Sequence, residues 1–257
     1  MTPSAFLKAR SHQLPIEALP SANGFDLDAA YAMESEVMRL RETEGAVVAG
    51  RKVGYANKAM WRMLKLETLV WAHMFEDTVH MAPQGVCELS IAPYRSPKIE
   101  PEIVIKVKDP LAGEGLASAE WIALGFEILD NPYPDWKFQP VDFVAAWGLH
   151  VGLIVGKKLD VTSSNIDLLA NQLADFKISL LRNNELIEEG AGKNSLRSPA
   201  LCLGELARAS AQRNDPLRPG EIVSTGTLTS AQTIMAGEEW LAELNGLALA
   251  SLRVTFK

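Results

Sequence analysis

One stretch constrains the fold more than any other: Ile99–Glu100–Pro101–Glu102–Ile103–Val104–Ile105–Lys106–Val107, whose odd-numbered positions are apolar. Alternation with period two is a strand signal. Residues two apart on a strand share a face. Glu100 and Glu102 therefore point one way, and Ile103, Ile105 and Val107 the other. Two carboxylates this close repel, and each disfavours ionisation of its neighbour. A cation between them removes the conflict, and hard oxygen ligands suit Mg²⁺, Mn²⁺ or Ca²⁺ better than zinc. The competing reading is a solvated acidic face. Pro101 cannot donate to a ladder, which suggests an edge strand, a bulge or an irregular start.

Around this strand the pattern is mixed. Helical spacing of Leu27, Ala30, Tyr31, Glu34 and Met38 predicts a helix over Asp26–Glu44 with Asp26 as cap. A shorter helix is predicted over Asn57–Leu66, and another over Leu116–Leu124 between Ser118 and Gly125. Ser198 and Pro199 open a helix that runs to about Ala211. Strands are expected at Phe126–Leu129, Val151–Val155 and Glu221–Thr225. Two hairpins are expected, one around Arg182–Asn183–Asn184 and one around Asn245–Gly246, a pair suited to a type I′ turn. Strand and helix do not alternate regularly, which disfavours a doubly wound parallel sheet. The expectation is an α+β fold, predominantly β. It forms a single catalytic domain over 1–257, with a mostly helical portion (1–66) and a β-rich body (67–257).

The formal charge of −7 argues against broad binding to nucleic acid. The uncharged run Phe143–Gly156 is too short to span a membrane, which takes about 20 apolar residues. Met1–Arg10 shows no secretory signal. Cys87 and Cys202 are too few for a disulfide scaffold. A soluble cytoplasmic protein is expected.

Glycine-rich phosphate loops, the nucleophile elbow, paired-cysteine motifs and the zinc His-Glu-x-x-His pattern are absent from the sequence. His73 and His80, seven apart, are read as surface or core histidines sharing a helical face rather than metal ligands. Glu127 sits in the apolar run Phe126–Leu129, where a charge needs a partner or a metal. Three carboxylates on two strands make one face of an octahedral site, leaving positions for substrate and water. Lys52, between Gly50 and Gly54, is a candidate to bind a carboxylate or act as acid/base. Lys58 is a further candidate, Asp77 a candidate base or lysine partner, and Thr225–Thr229, with Thr227 at its centre, a candidate anion-binding turn.

Gly50–Gly54, Pro97–Ile103, Phe126–Asp130, Gly190–Gly192 and Thr225–Thr229 follow one another in an order that resembles the hydratase/decarboxylase branch of the fumarylacetoacetate hydrolase superfamily. That branch includes 2-oxopent-4-enoate hydratase and 4-oxalocrotonate decarboxylase. The resemblance runs from about residue 26 to the C-terminus. It implies a mixed β-sandwich roll, homo-oligomers, and Mg²⁺ or Mn²⁺ held by Glu100, Glu102 and Glu127. Lys52 matches the family lysine and Asp77 the family acid. This chain departs at Val70–Trp71–Ala72, at Arg197–Ser198–Pro199, and at Ala145–His150, where large side chains replace small polar ones.

The resemblance implies a lyase that adds water to an unsaturated 2-oxo acid through a metal-stabilised enolate, with Lys52 and Asp77 catalytic; from the residues themselves, Lys58 and Thr227 are the expected substrate contacts. The same enolate serves a 4-oxalocrotonate-type decarboxylase, for which Arg197 is a candidate subsite. It also serves an acylpyruvate C–C hydrolase, for which His12 and Glu17 are candidate bases. The alternative class is a non-catalytic partner subunit, with Ala145–His150 marking a lost pocket. Assembly with a paired hydratase or decarboxylase is a further expectation of the resemblance.

Overall fold

A computed structural model describes residues 2–11, 16, 19–113 and 115–257. Its helices are α1 (Pro3–Ser11), α2 (Leu27–Thr43), α3 (Lys58–Leu64), α4 (Pro140–Ala145), α5 (Ile166–Asp175) and α6 (Pro199–Gln212). The first seven strands are β1 (Val48–Gly54), β2 (Val70–Phe75), β3 (Val79–Met81), β4 (Val86–Leu89), β5 (Lys98–Val107), β6 (Ala119–Leu129) and β7 (His150–Val155). The others are β8 (Leu159–Asp160), β9 (Lys177–Arg182), β10 (Glu185–Ala191), β11 (Ile222–Ser224), β12 (Gln232–Thr233), β13 (Glu239–Asn245) and β14 (Leu252–Phe256). His12 and Glu17 lie outside the described residues.

Two mixed sheets carry the fold, and helices of comparable total length pack around them. The larger runs β2–β1–β11–β5–β6–β7–β3, with β12 added to β5 and β8 to β6. The smaller runs β10–β9–β13–β14–β4. One apolar core joins them, with Ile103, Ile105, Leu124, Phe126 and Ile128 from the larger sheet and Leu180, Trp240, Val254 and Phe256 from the smaller. The opposite face of the larger sheet carries a separate cluster of Met74, Val104, Trp121, Ala123, Leu153 and Val155. The carboxylates of β5 lie on this second face, as the alternation requires. No described helix is long and apolar enough to cross a membrane.

β5 is an interior strand, not an edge. β12 pairs with Lys98 and Ile99, and β11 with Val104–Lys106, so the chain between them leaves β5 over residues 100–103. Pro101 sits in this gap, where its carbonyl accepts from Leu228 N at 2.9 Å. A proline there removes no ladder bond on that side. The gap also opens the sheet beside the glutamates.

Helices α2, α3 and α6 match expectation, each with its side-chain cap in place: Asp26, Asn57 and Ser198. Of the helix expected over Leu116–Leu124, residues 116–118 close a short 3-10 helix, Gly115–Ser118, and the rest is the start of β6. Its apolar residues are wanted on both faces, because β6 lies between β5 and β7 and is buried by both cores. A strand buried on two faces loses the alternation that identifies it. The first hairpin forms with Asn183 and Asn184 at φ 50° and 65°. The second is wider than Asn245–Gly246 suggests. β13 pairs β14 only as far as Ala242–Leu252; residues 243–245 stay paired with β9, and the chain after them leaves the sheet to bury Leu247 and Leu249. His73 and His80 lie on separate strands, β2 and β3, rather than on a helix.

Candidate metal centre and substrate cleft

Glu100 and Glu127 are direct cross-strand partners on β5 and β6. Glu102, two residues on, pairs with Gly125. A Cβ on Gly125 would come within 2.5 Å of Val104 Cγ2, so this row has no room for another side chain. The strands bring one carboxylate oxygen of each glutamate to within 4.8 Å of the others.

The three glutamates have different partners. Glu127 is fully buried. Its Oε2 accepts from Lys52 Nζ at 2.8 Å, and its Oε1 lies 2.8 Å from His150 Nδ1. Glu102 is also fully buried, and its Oε2 accepts from Ser224 Oγ at 2.5 Å and Gly226 N at 2.8 Å. Among the described residues, its Oε1 has no hydrogen-bond partner. Burial pushes the Glu100 carboxyl up to about 7 against the pull of Lys52, with Glu127 pushing the same way. Burial, then Glu127 and Glu100, raise Glu102 well above the carboxylate range. Burial would also raise Glu127, but Lys52 and His150 outweigh it and hold that carboxyl low. Lys52 is raised because its three acidic neighbours, Glu127 foremost, overcome the cost of its burial.

Fully ionised, the three carboxylates and one ammonium would carry two negative charges in excess, a state that burial and mutual repulsion resist by raising Glu100 and Glu102. A divalent cation cancels that excess and gives Glu102 Oε1 a partner, so the donor set fits a hard divalent ion.

Lys52 also donates to Gly148 O at 3.0 Å. Trp147, Gly148 and Leu149 all adopt left-handed φ values of 63°, 59° and 60°. For the two non-glycine residues this costs about 1–2 kcal/mol each. A Cβ on Gly148 would lie 2.4 Å from Lys52 Cδ, so that position fits the lysine only without one.

The large residues of Ala145–His150 do not fill the pocket. Trp147 turns away to pack edge-on against Phe75 at 4.9 Å. Leu149 forms part of the wall of a cleft of about 600 Å³, beside Lys52, Glu100 and Thr227. The lost-pocket expectation for this segment is therefore corrected. His150, the segment's polar residue, positions Glu127, and its Nε2 lies 2.9 Å from Thr78 Oγ1. Its signal in the sequence was a histidine inside an uncharged run. Its partners, 23 and 72 residues away, could not be read from that. Ser224 and the Gly226 amide, which hold Glu102, were likewise not singled out.

Two expected residues are not brought to the cleft. Asp77 is a surface residue, its side chain 63% exposed, whose carboxylate meets Arg41 at 2.7 Å. It follows β2 on a short turn beside α1 and α2 and lines a different hollow from the cleft of Lys52. Lys58 is exposed at the start of α3, with Nζ 5.4 Å from the Trp61 ring. Arg197 is exposed and is not among the residues lining the cleft.

No family model matches the chain. It is similar to 4-oxalocrotonate decarboxylase of Pseudomonas putida, at 26% identity over 230 residues covering 87% of this chain and 84% of that protein. It is also similar to 2-hydroxyhexa-2,4-dienoate hydratase of Comamonas testosteroni, at 27% over 232 residues and 88% and 85% coverage. A third relative is 2-keto-4-pentenoate hydratase of Burkholderia vietnamiensis, at 28% over 239 residues and 91% and 87% coverage. Among solved structures, 4-oxalocrotonate decarboxylase from Pseudomonas putida G7, complexed with magnesium and adipate, has a TM-score of 0.88. It is 22% identical and covers 99% of this chain and 95% of that one. Fumarylpyruvate hydrolase from Pseudomonas aeruginosa, with Mn²⁺ and pyruvate, has a TM-score of 0.57 at 16% identity and 82% and 91% coverage. The structural likenesses are of fold. With the sequence relatives they bear out the resemblance to the hydratase/decarboxylase branch of the fumarylacetoacetate hydrolase superfamily.

Proposed function

We infer that this chain is a divalent-cation-dependent lyase of that branch, adding water to an unsaturated 2-oxo acid. One observation carries the reading: three carboxylates converge on a single ammonium at the floor of a cleft, and Glu102 Oε1 is left without a partner. Glu100, Glu102 and Glu127 would hold the ion. When bound, it supplies a Lewis acid for the 2-oxo acid head and for the negative charge that develops there.

The chain's own residues supply the rest. Lys52 stays protonated among its acidic neighbours, and its Nζ offers a fixed positive charge and a proton beside the substrate head. His150 fixes the orientation of Glu127. Leu129, Leu149 and Phe143 give the cleft an apolar wall beside Lys52 and Glu100. Thr227, on the cleft wall, is the proposed contact for the substrate carboxylate. Asp77 and Lys58 have no part in this scheme, because neither lines the cleft. In the same reading the chain is one catalytic domain in the cytoplasm. It works as a homo-oligomer, alone or with a paired hydratase or decarboxylase.

Calorimetric binding of oxalate, which mimics the enolate head, tests this with and without Mg²⁺. Metal-dependent binding that disappears in Glu102→Gln supports the site, and loss of 2-hydroxypenta-2,4-dienoate absorbance then reads turnover. No oxalate binding to the Mg²⁺-loaded wild type would sink the reading and favour a non-catalytic subunit.

A further inference from the structure

The wall of the cleft beyond the carboxylates is aromatic. Phe143 sits over the Lys52 ammonium, with Nζ 4.8 Å from its ring centroid. Phe138 stacks on Phe143 at 6.4 Å, and Trp136 lies 6.2 Å beyond Phe138. The three rings form a row leading outward from the cleft floor. Tyr55 meets Phe143 edge-on at 5.3 Å from the other side.

The row is built in, not improvised. Trp136 Nε1 donates to Ser96 Oγ at 3.1 Å, and Asn131 Nδ2 donates to Asp135 O at 2.6 Å, bracing the loop that carries it. Phe143 rides on α4. The buried Asp142 of that helix accepts from Ser21 N at 2.7 Å, Ser21 Oγ at 2.8 Å and Gln139 N at 2.8 Å.

Charge along the cleft is one-sided. Among the described residues lining it, Lys52 is the only cation, and Glu127 and Gly148 already engage it. Glu188 stands on the wall as an anion, held by Ser230 and Gln232. Lys98 shares the strand face of Glu100, but its ammonium sits on the Trp136 ring at 4.2 Å, and it does not line the cleft. A substrate with a second carboxylate would place it against aromatic rings and Glu188, with no cation among the described residues lining that part of the cleft. Placing an unpaired charge beside half-buried rings and a second carboxylate is unfavourable.

Resting on the 2-oxo acid reading above, we propose that the Phe143–Phe138–Trp136 row selects 2-oxo acids with an uncharged, flat tail, conjugated or aryl, and rejects dicarboxylates. The head binds at the glutamates, and the tail stacks along the rings.

The test is calorimetric binding to the Mg²⁺-loaded full chain, using four probes. Oxalate reports the head alone. 2-Oxohexanoate and 2-oxoadipate share a backbone and differ in the terminal carboxylate. 2-Oxo-4-phenylbut-3-enoate carries an aryl tail. The expected order places 2-oxohexanoate about tenfold or more tighter than 2-oxoadipate, and the aryl acid tighter than either. Phe138→Ala should weaken the aryl acid about tenfold and leave oxalate unchanged. Glu188→Gln should narrow the gap between the two hexanoic acids. If 2-oxoadipate binds as tightly as 2-oxohexanoate, the proposal is overturned, and loss of that binding in Lys98→Met would identify the cation responsible. An aryl acid indifferent to Phe138→Ala and to Trp136→Ala overturns it equally. These failures, with oxalate still binding, leave the metal site standing. Failure of oxalate itself removes the metal site and this proposal together.

Discussion

Glu127 has both carboxylate oxygens engaged by the protein, one by Lys52 and one by His150, whereas Glu102 has one oxygen engaged. The two neighbours of Glu127 are therefore expected to fail differently when changed. Lys52→Met removes a positive charge from a cluster of three carboxylates. Cation binding should persist or tighten in calorimetry, while turnover falls on the order of 10²–10⁴-fold if Nζ moves a proton. Turnover within threefold of wild type would remove Lys52 from the chemistry. His150→Asn leaves every carboxylate in place but frees Glu127 Oε1 to reorient. Metal affinity should drop about 10–100-fold, the usual effect of losing a residue that orients a ligand, with the melting temperature of the metal-free protein little changed. An unchanged metal affinity would show that Lys52 alone sets the Glu127 geometry. The glutamates and Lys52 were legible in the sequence because an acid or base in an apolar stretch demands a partner. Asp77 and Lys58 were misplaced for the same reason in reverse: a charged residue in a polar loop carries no signal of direction. Here Asp77 meets Arg41 and Lys58 meets the Trp61 ring, both on the surface.

Strand β5 shows how an element can be read correctly and located wrongly. Its alternation gave the face of each residue, yet its proline suggested an edge. The gap between β11 and β12 supplies an edge locally inside an interior strand, and nothing in the local sequence could show that two distant segments stop short of each other. β6 failed in the opposite way, since burial on two faces erased the alternation. Asn245–Gly246 misled because a good turn pair was overridden by the burial of Leu247 and Leu249. The turn at Gly226 belongs to the gap and can be tested as an element. Its φ is 92°, a Cβ there would lie 2.7 Å from Ala56 Cβ, and its amide donates to Glu102. Gly226→Ala should cost about 1–3 kcal/mol in denaturant unfolding and also weaken Mg²⁺ binding. Gly246→Ala shares the positive φ but meets nothing closer than 3.6 Å, at Phe176 Cα. It should cost about 1 kcal/mol and leave Mg²⁺ binding alone. Equal effects of the two on metal binding would mean that the turn does not shape the site.

Across the whole molecule, buried charge joins the helical portion to the sheets and the sheets to the ion. Glu34 of α2 accepts from His73 N at 2.9 Å and lies 2.8 Å from its Nδ1, while His73 Nε2 lies 3.3 Å from Asp215, which also binds the buried Arg51. Burial alone would lower the His73 pKa, but Glu34 and Asp215 overcome it and raise it to about 9. A raised histidine stabilises the fold fully below its unfolded value of about 6.5 and stops doing so as pH climbs through about 9. Unfolding followed from pH 6 to 10 should show a loss on the order of 2–3 kcal/mol that His73→Asn abolishes. A parallel decline in the variant would assign it elsewhere. The carboxylate cluster makes the complementary demand. Without an ion, the fold holds three carboxylates together in a largely buried site, where burial and their mutual repulsion raise Glu100 and Glu102 and oppose folding. With one, binding to the folded state alone adds about 2.7 kcal/mol at a hundred times Kd. For a chain of this length that is roughly 5–10 °C in melting temperature. Glu102→Gln removes one of the crowded carboxyl groups and, with it, a ligand. In chelator it should therefore melt at or above the wild type, and in excess Mg²⁺ below it. That crossing separates a metal ligand from an ordinary buried acid. If Glu102 only braced Ser224 and Gly226, the variant would melt lower under both conditions and Mg²⁺ would shift neither protein.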